Sequence, residues 1–203
     1  MKESMKKALL LFAKQRFSEM KASHEQQSAG PNSSSQLAAP ISPTPNLIIE
    51  AFLPRLNLNA DSFLVDLGCG DGRWLIAANE HTRCRCLGID VDQDRLRVAQ
   101  KSIDQSGLQE LVKIREQDVF EFVKQSDDIV KADVIVIYLF REAMMEIGPM
   151  LHERLVLNYR NDEDEVPPKR VHVLSVGFGL TGWTQAYEEK INGIRVYLYN
   201  LDQ

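Results

Sequence analysis

Apolar runs of strand length alternate with segments of helical period through most of this chain. Residues 63–67, 85–90, about 111–116, 134–139 and 172–177 read as strands. Between them, 73–80, 93–105 and 141–154 read as helices, and an earlier helix covers about 46–53. In 93–105 the apolar stripe is Leu96, Ala99 and Ile103, and Gly107 is placed to end the helix. A short helical turn follows Asp118. Two last strands, about 182–189 and 193–200, flank Asn192-Gly193, a strong hairpin signal. Strand–helix alternation that closes on a hairpin predicts an α/β fold, a doubly wound seven-stranded sheet whose C-terminal hairpin is antiparallel. No apolar run approaches the ~20 residues of a transmembrane helix.

The first 42 residues break this pattern. Residues 1–22 read as a basic amphipathic helix, with Leu9, Leu10, Phe12, Ala13, Phe17 and Met20 opposite six Lys and Arg side chains. Residues 23–42 shift to Ser, Gln, Asn, Ala and Pro, the composition of a flexible linker, so the domain is expected over 43–203. The helix could be a mitochondrial presequence, a membrane-surface or partner-binding arm, or an extra helix packed on the domain. Glu3 and Glu19 count against a presequence. The expected location is intracellular, cytoplasmic or mitochondrial.

Of 203 residues, 44% are hydrophobic, enough for one α/β domain with a core. The net charge of −5 does not mark a specific nucleic-acid binder. The three cysteines lack metal-ligand spacing, and no metal is expected. Cys84 and Cys86 fall on one face of a strand, as reduced core thiols.

The chemistry concentrates where the first strand ends. Asp66-Leu67-Gly68-Cys69-Gly70-Asp71-Gly72-Arg73 places three glycines at alternate positions between a buried strand and a helix. Glycine admits a ligand against bare backbone, and the helix start offers free N–H groups. The dinucleotide fingerprint G-x-G-x-x-G is not met, because Arg73 stands where the third glycine belongs. Asp90 ends the second strand, where a carboxylate accepts from a ribose diol; it could instead cap the next helix. Asp118 follows the third strand, with Glu121 placed to complete a capping box.

Asp-x-Gly-x-Gly-x-Gly resembles motif I of the class I S-adenosylmethionine (SAM) methyltransferases, whose fold is a Rossmann-like seven-stranded sheet. The chain is similar, more closely, to the archaeal broad-specificity protein-lysine methyltransferases and to the mitochondrial lysine methyltransferases of the ATP synthase c subunit and the adenine nucleotide translocase. The stretches that carry this are Thr44-Pro45 before a helix, Asp66 to Arg73, the apolar run 135–140, and Val173-Leu174-Ser175 through Gly182-Trp183 to Val196-Tyr197-Leu198-Tyr199. The resemblance covers about 42–201. It implies SAM as cofactor, held by Asp66, Gly68, Cys69, Gly70 and Gly72, by Asp90 and Val91 at the ribose, by Asp118 and Val119 at the adenine, and by Tyr138. It implies a protein substrate with an exposed lysine, with Tyr138 and Trp183 as walls of the lysine channel. Tyr138 could equally be an ordinary strand-end aromatic, and Trp183 a core residue.

The expected reaction is in-line transfer of a methyl group to a lysine that burial keeps neutral, without a dedicated base. Rival readings are a small-molecule methyltransferase and a silent SAM-binding module. The acidic run 161–165 could attract a lysine-rich partner or simply be solvated.

Overall fold

The computed structural model describes residues 43–159 and 170–202. The expected helix 1–22, the linker 23–42 and the acidic run 161–165 lie outside the described residues. The described chain opens with α1 (Asn46–Phe52), which runs into a 3₁₀ turn, Leu53–Leu56. Strands β1 (Phe63–Leu67), β2 (Arg85–Asp90), β3 (Val112–Glu116), β4 (Val134–Ile137) and β5 (Arg170–Val176) follow. The helices among them are α2 (Arg73–Thr82), α3 (Gln93–Gln105), α4 (Val119–Gln125), α5 (Asp128–Lys131) and α6 (Arg141–Tyr159). β6 (Tyr187–Ile191) and β7 (Ile194–Asp202) close the chain.

The sheet order is β3-β2-β1-β4-β5-β7-β6. β1 to β5 pair in parallel; β7 inserts antiparallel between β5 and β6. The order reverses between β1 and β4, and in doubly wound sheets ligands bind at the carboxyl ends of the strands at that point. Alternation divides the core in two. Leu64, Val134, Val136, Leu174 and Val176 pack with Trp74, Leu75, Leu96 and Ile103. Val65, Leu67, Ile135, Ile137 and Val173 pack with Phe122, Met144, Ile147 and Leu151. Helices cover both faces, which is why the central strands read as unbroken apolar runs.

Local chemistry sets the ends. Asp92 caps α3 by accepting from the N–H groups of Asp94 and Arg95, and Leu96, Ala99 and Ile103 are its buried stripe. Asn192 and Gly193 take φ of 48° and 86°, the two positive values a tight hairpin turn requires. Several boundaries differ from the sequence reading, two of them for tertiary reasons. β4 stops at Ile137, because its partner Leu67 is the last residue before β1 enters the glycine loop. β6 begins only at Tyr187, because the chain around 180–183 turns back onto α6. No helix of the described residues is long and apolar enough to cross a membrane.

Candidate active site and cofactor cradle

Asp66 shares with Leu64 the face of β1 that packs on α2 and α3. It is 3% exposed. Burial, then the nearby Asp90 and Asp71 carboxylates, push its pKa up to about 8, so near neutrality it holds a proton.

The loop that follows is a backbone cradle. Gly68, Gly70 and Gly72 have φ of 85°, 53° and 76°, values that L side chains rarely adopt. Gly68 and Cys69 donate to the Ile89 carbonyl at 2.8 and 3.0 Å, which hangs the loop on the end of β2. A Cβ on Gly70 would touch Arg95 Nη1 at 3.6 Å, an ordinary contact, so space does not require glycine here and the positive φ does. Cys69 turns its side chain inward. A Cβ on Gly88 would stand 2.7 Å from Cys69 Sγ, and burial together with Asp66 pushes the thiol pKa up. The Cys69 backbone is engaged as well, since its carbonyl accepts from Gly72 N–H at 2.9 Å.

Asp90 fastens this loop. Its Oδ2 accepts from Gly70 N–H at 2.8 Å and its Oδ1 from Asp92 N–H at 2.9 Å. The capping of α3 falls to Asp92. A carboxylate oxygen carries two lone pairs, so Asp90 can still receive two hydroxyl donors. The next side chain, Val91, is 62% exposed, an apolar platform at the strand end. Asp118 caps α4 through Oδ1, accepting from Phe120 and Glu121 N–H at 2.9 and 3.1 Å, which leaves Oδ2 for another donor. Val119 opens that helix, half-buried against the second core cluster.

Tyr138 and Leu139 follow β4. A Cβ on Gly68 would lie 2.6 Å from Leu139 Cδ2 and 3.7 Å from the Tyr138 carbonyl, so the two strand-end loops abut. A Cβ on Gly177 would lie 3.2 Å from Tyr138 Cε2; a glycine there gives the ring its place. Phe140 and Phe178, beyond the ends of β4 and β5, are 53% and 39% exposed.

Tyr138 packs with the first core cluster and Trp183 with the second. Trp183 Nε1–H donates to the Gly148 carbonyl at 2.9 Å, and its ring meets His152 and Tyr199 edge-on at 5.4 and 5.5 Å. These contacts pin the segment after β5 onto α6.

His81 lies near the end of α2, His152 packs on Trp183, and His172 Nδ1 lies 2.8 Å from Asn200 Oδ1. None of the three stands beside Tyr138 at the carboxyl ends of β1 and β4. Among the described residues no His, Cys, Asp and Glu group is placed to hold a metal ion.

One part of the site was not legible beforehand. Arg73 Nε and Nη2 donate to Asp71 at 2.9 and 2.6 Å, while Nη1 donates to the Thr44 carbonyl at 2.9 Å. Trp74 Nε1–H adds a bond to Thr44 Oγ1 at 3.2 Å. Asp71, Arg73 and Thr44 all stand in stretches that carry the resemblance, but the bond from Arg73 to Thr44 joins residues 29 apart, which no local signal connects.

A glycine loop at the carboxyl end of β1, a buried carboxyl beneath it, a second carboxylate at the end of β2 and an exposed apolar side chain beside it fit a nucleoside cofactor such as SAM. Fold and site define a SAM-dependent methyltransferase. The chain belongs to the ANTKMT methyltransferase domain family, whose model matches residues 66–187. It is 28% identical over 165 residues to a protein-lysine N-methyltransferase of Saccharolobus islandicus, covering 79% of this chain and 92% of that protein. The crystal structure of an RNA methyltransferase from Salinibacter ruber with S-adenosyl-L-homocysteine superposes with a TM-score of 0.65 and 28% identity, over 79% of this chain and 94% of that one. A ribosomal protein L11 methyltransferase of Citrobacter koseri is 27% identical over 109 residues, but the match spans only 34% of that enzyme.

Proposed function

We propose that this methyltransferase acts on lysine side chains of protein substrates. The observation that carries the reading is the similarity to the Saccharolobus islandicus protein-lysine N-methyltransferase, which extends over 92% of that protein. The acceptor end of the site agrees with it. Tyr138, Leu139, Phe140 and Phe178 make its surroundings aromatic and apolar, and no described histidine stands there to act as base.

SAM, when bound, would supply a methyl group on its sulfonium sulfur and leave as a neutral thioether. The chain supplies position and a dry surface. The glycine loop, held in shape by its own hydrogen bonds, would take the cofactor's amino-acid end, with Asp66 beneath it. Asp90 receives the ribose hydroxyls, Val91 packs on the base, and Asp118 Oδ2 with the Val119 backbone reads its edge. Tyr138 aligns the incoming amine. A lysine brought between these rings and a cationic cofactor loses its proton readily, because burial and a like charge both disfavour its ammonium form.

The test is transfer of label from SAM to a cell extract, resolved by digestion. Label released by protease and mapped to a lysine supports the reading. Label released by ribonuclease favours an RNA acceptor, the substrate named for the Salinibacter ruber structure. Label only on small molecules, or SAM binding without transfer, overturns it.

A further inference from the structure

We propose that Arg73 is a positioning residue for the cofactor loop, acting by strapping the segment ahead of α1 onto the end of that loop. The reading requires only the SAM site and is independent of the acceptor.

Thr44 is 4% exposed although it lies beside the first described residue. Two side chains from the start of α2 hold it: Arg73 Nη1 on its carbonyl and Trp74 Nε1 on its hydroxyl. α1 has no side-chain cap of its own, since its N-cap is Pro45. The hold on residues 43–45 therefore comes from α2.

The fork geometry makes this a coupling rather than a surface contact. A guanidinium is planar and rigid. Asp71 grips one edge of it, through Nε and Nη2, and so aims Nη1 at Thr44. The same contact holds the Asp71 pKa low. Asp71 and Arg73 flank Gly72, whose φ of 76° sets the last turn of the loop. If Gly72 leaves this conformation, Asp71 and Arg73 part and the Thr44 contact goes with them. The strap is in place only when the loop has the shape that presents its peptides to the cofactor. Its function is to keep the loop in that shape and the cofactor in the loop.

Arg73→Lys is the test. It retains the charge but cannot grip Asp71 and reach Thr44 together. The expected result is a KM and Kd for SAM raised roughly three- to tenfold, the range one charge-assisted hydrogen bond allows at a half-exposed site, with kcat within about twofold. Asp71→Asn, which leaves Arg73 in place but loosens its hold, should reproduce the shift, and the two changes together should cost less than their product. Arg97→Lys, in the exposed pair with Asp94, is the control and should change neither constant. A lower melting temperature with SAM Kd and KM unchanged overturns the proposal, because it leaves a purely structural ion pair. So does a fall in kcat at unchanged KM. If Arg73→Lys yields no folded protein, Asp71→Asn alone decides by the same two constants.

Discussion

The Gly70 N–H donates to Asp90 Oδ2 at 2.8 Å, so the residue that ends β2 also holds the loop that ends β1. A strand-end carboxylate free to face a ligand could be removed with little structural cost, but this one is already tied to two backbone N–H groups. Asp90→Ala is therefore expected to cost about 1–3 kcal/mol of stability, since both donors lose their acceptor. It should also weaken SAM binding. Thermal melting and calorimetry on Ala and Asn variants check this. An Asp90→Ala protein with unchanged SAM affinity would remove Asp90 from the ribose site.

SAM binding is expected to depend on pH through Asp66. With its pKa raised from 3.8 to about 8, the native carboxyl keeps a proton that the unfolded chain has lost. The ligand-free protein therefore loses stability as pH rises between about 4 and 8. A cationic cofactor favours the ionised form, so binding expels the proton. Affinity should climb with pH, by up to about tenfold per unit, and level off above pH 8. Calorimetry at pH 7 in buffers of different ionisation enthalpy counts the released proton, and Asp66→Asn should abolish it. A Kd flat from pH 6 to 8.5 would rule out the linkage.

Gly88→Ala tests the seat of the loop. The new methyl group would meet Leu75 Cδ1 at 2.6 Å and Cys69 Sγ at 2.7 Å. Overpacking of this kind costs typically about 1–3 kcal/mol. Because Cys69 belongs to the cradle, SAM affinity should fall along with stability, although residue 88 touches no ligand. Stability lost at constant SAM affinity would show that the loop moves independently of its seat.

Tyr138 is the residue to test for chemistry. Tyr138→Ala should lower kcat on the order of 10²-fold through lost positioning, with a much smaller effect on SAM affinity. Tyr138→Phe separates ring from hydroxyl: retained turnover assigns the ring, lost turnover the hydroxyl. Wild-type turnover in the Ala variant would exclude Tyr138 from the acceptor site.

Trp183→Phe should behave in the opposite way. It removes the donor to the Gly148 carbonyl and part of the edge-on contact with Tyr199. A loss of about 1–2 kcal/mol in stability is expected, with kcat and SAM affinity retained. A large fall in kcat at full stability would return Trp183 to the acceptor channel.

What the sequence determined is local or periodic. β1, β2 and α3 were legible to the residue, because strand and helix periods, the Asp92 cap and the glycine after α3 are short-range signals. The cradle was legible because three glycines between a buried strand and a helix leave the backbone few alternatives. The hairpin at Asn192-Gly193 was legible as a turn, but the insertion of β7 beside β5 was not, since strand order is a pairing between distant segments. Tertiary structure alone decided the rest. It separated Tyr138 and Trp183 onto different core clusters, because the face a loop residue takes depends on the packing of α6 and β7 beneath it. It raised the pKa of Asp66 by taking water away from it, which residue type alone does not foretell. And it joined Arg73 to Thr44 across 29 residues, a contact that exists only once the segment ahead of α1 lies against the start of α2.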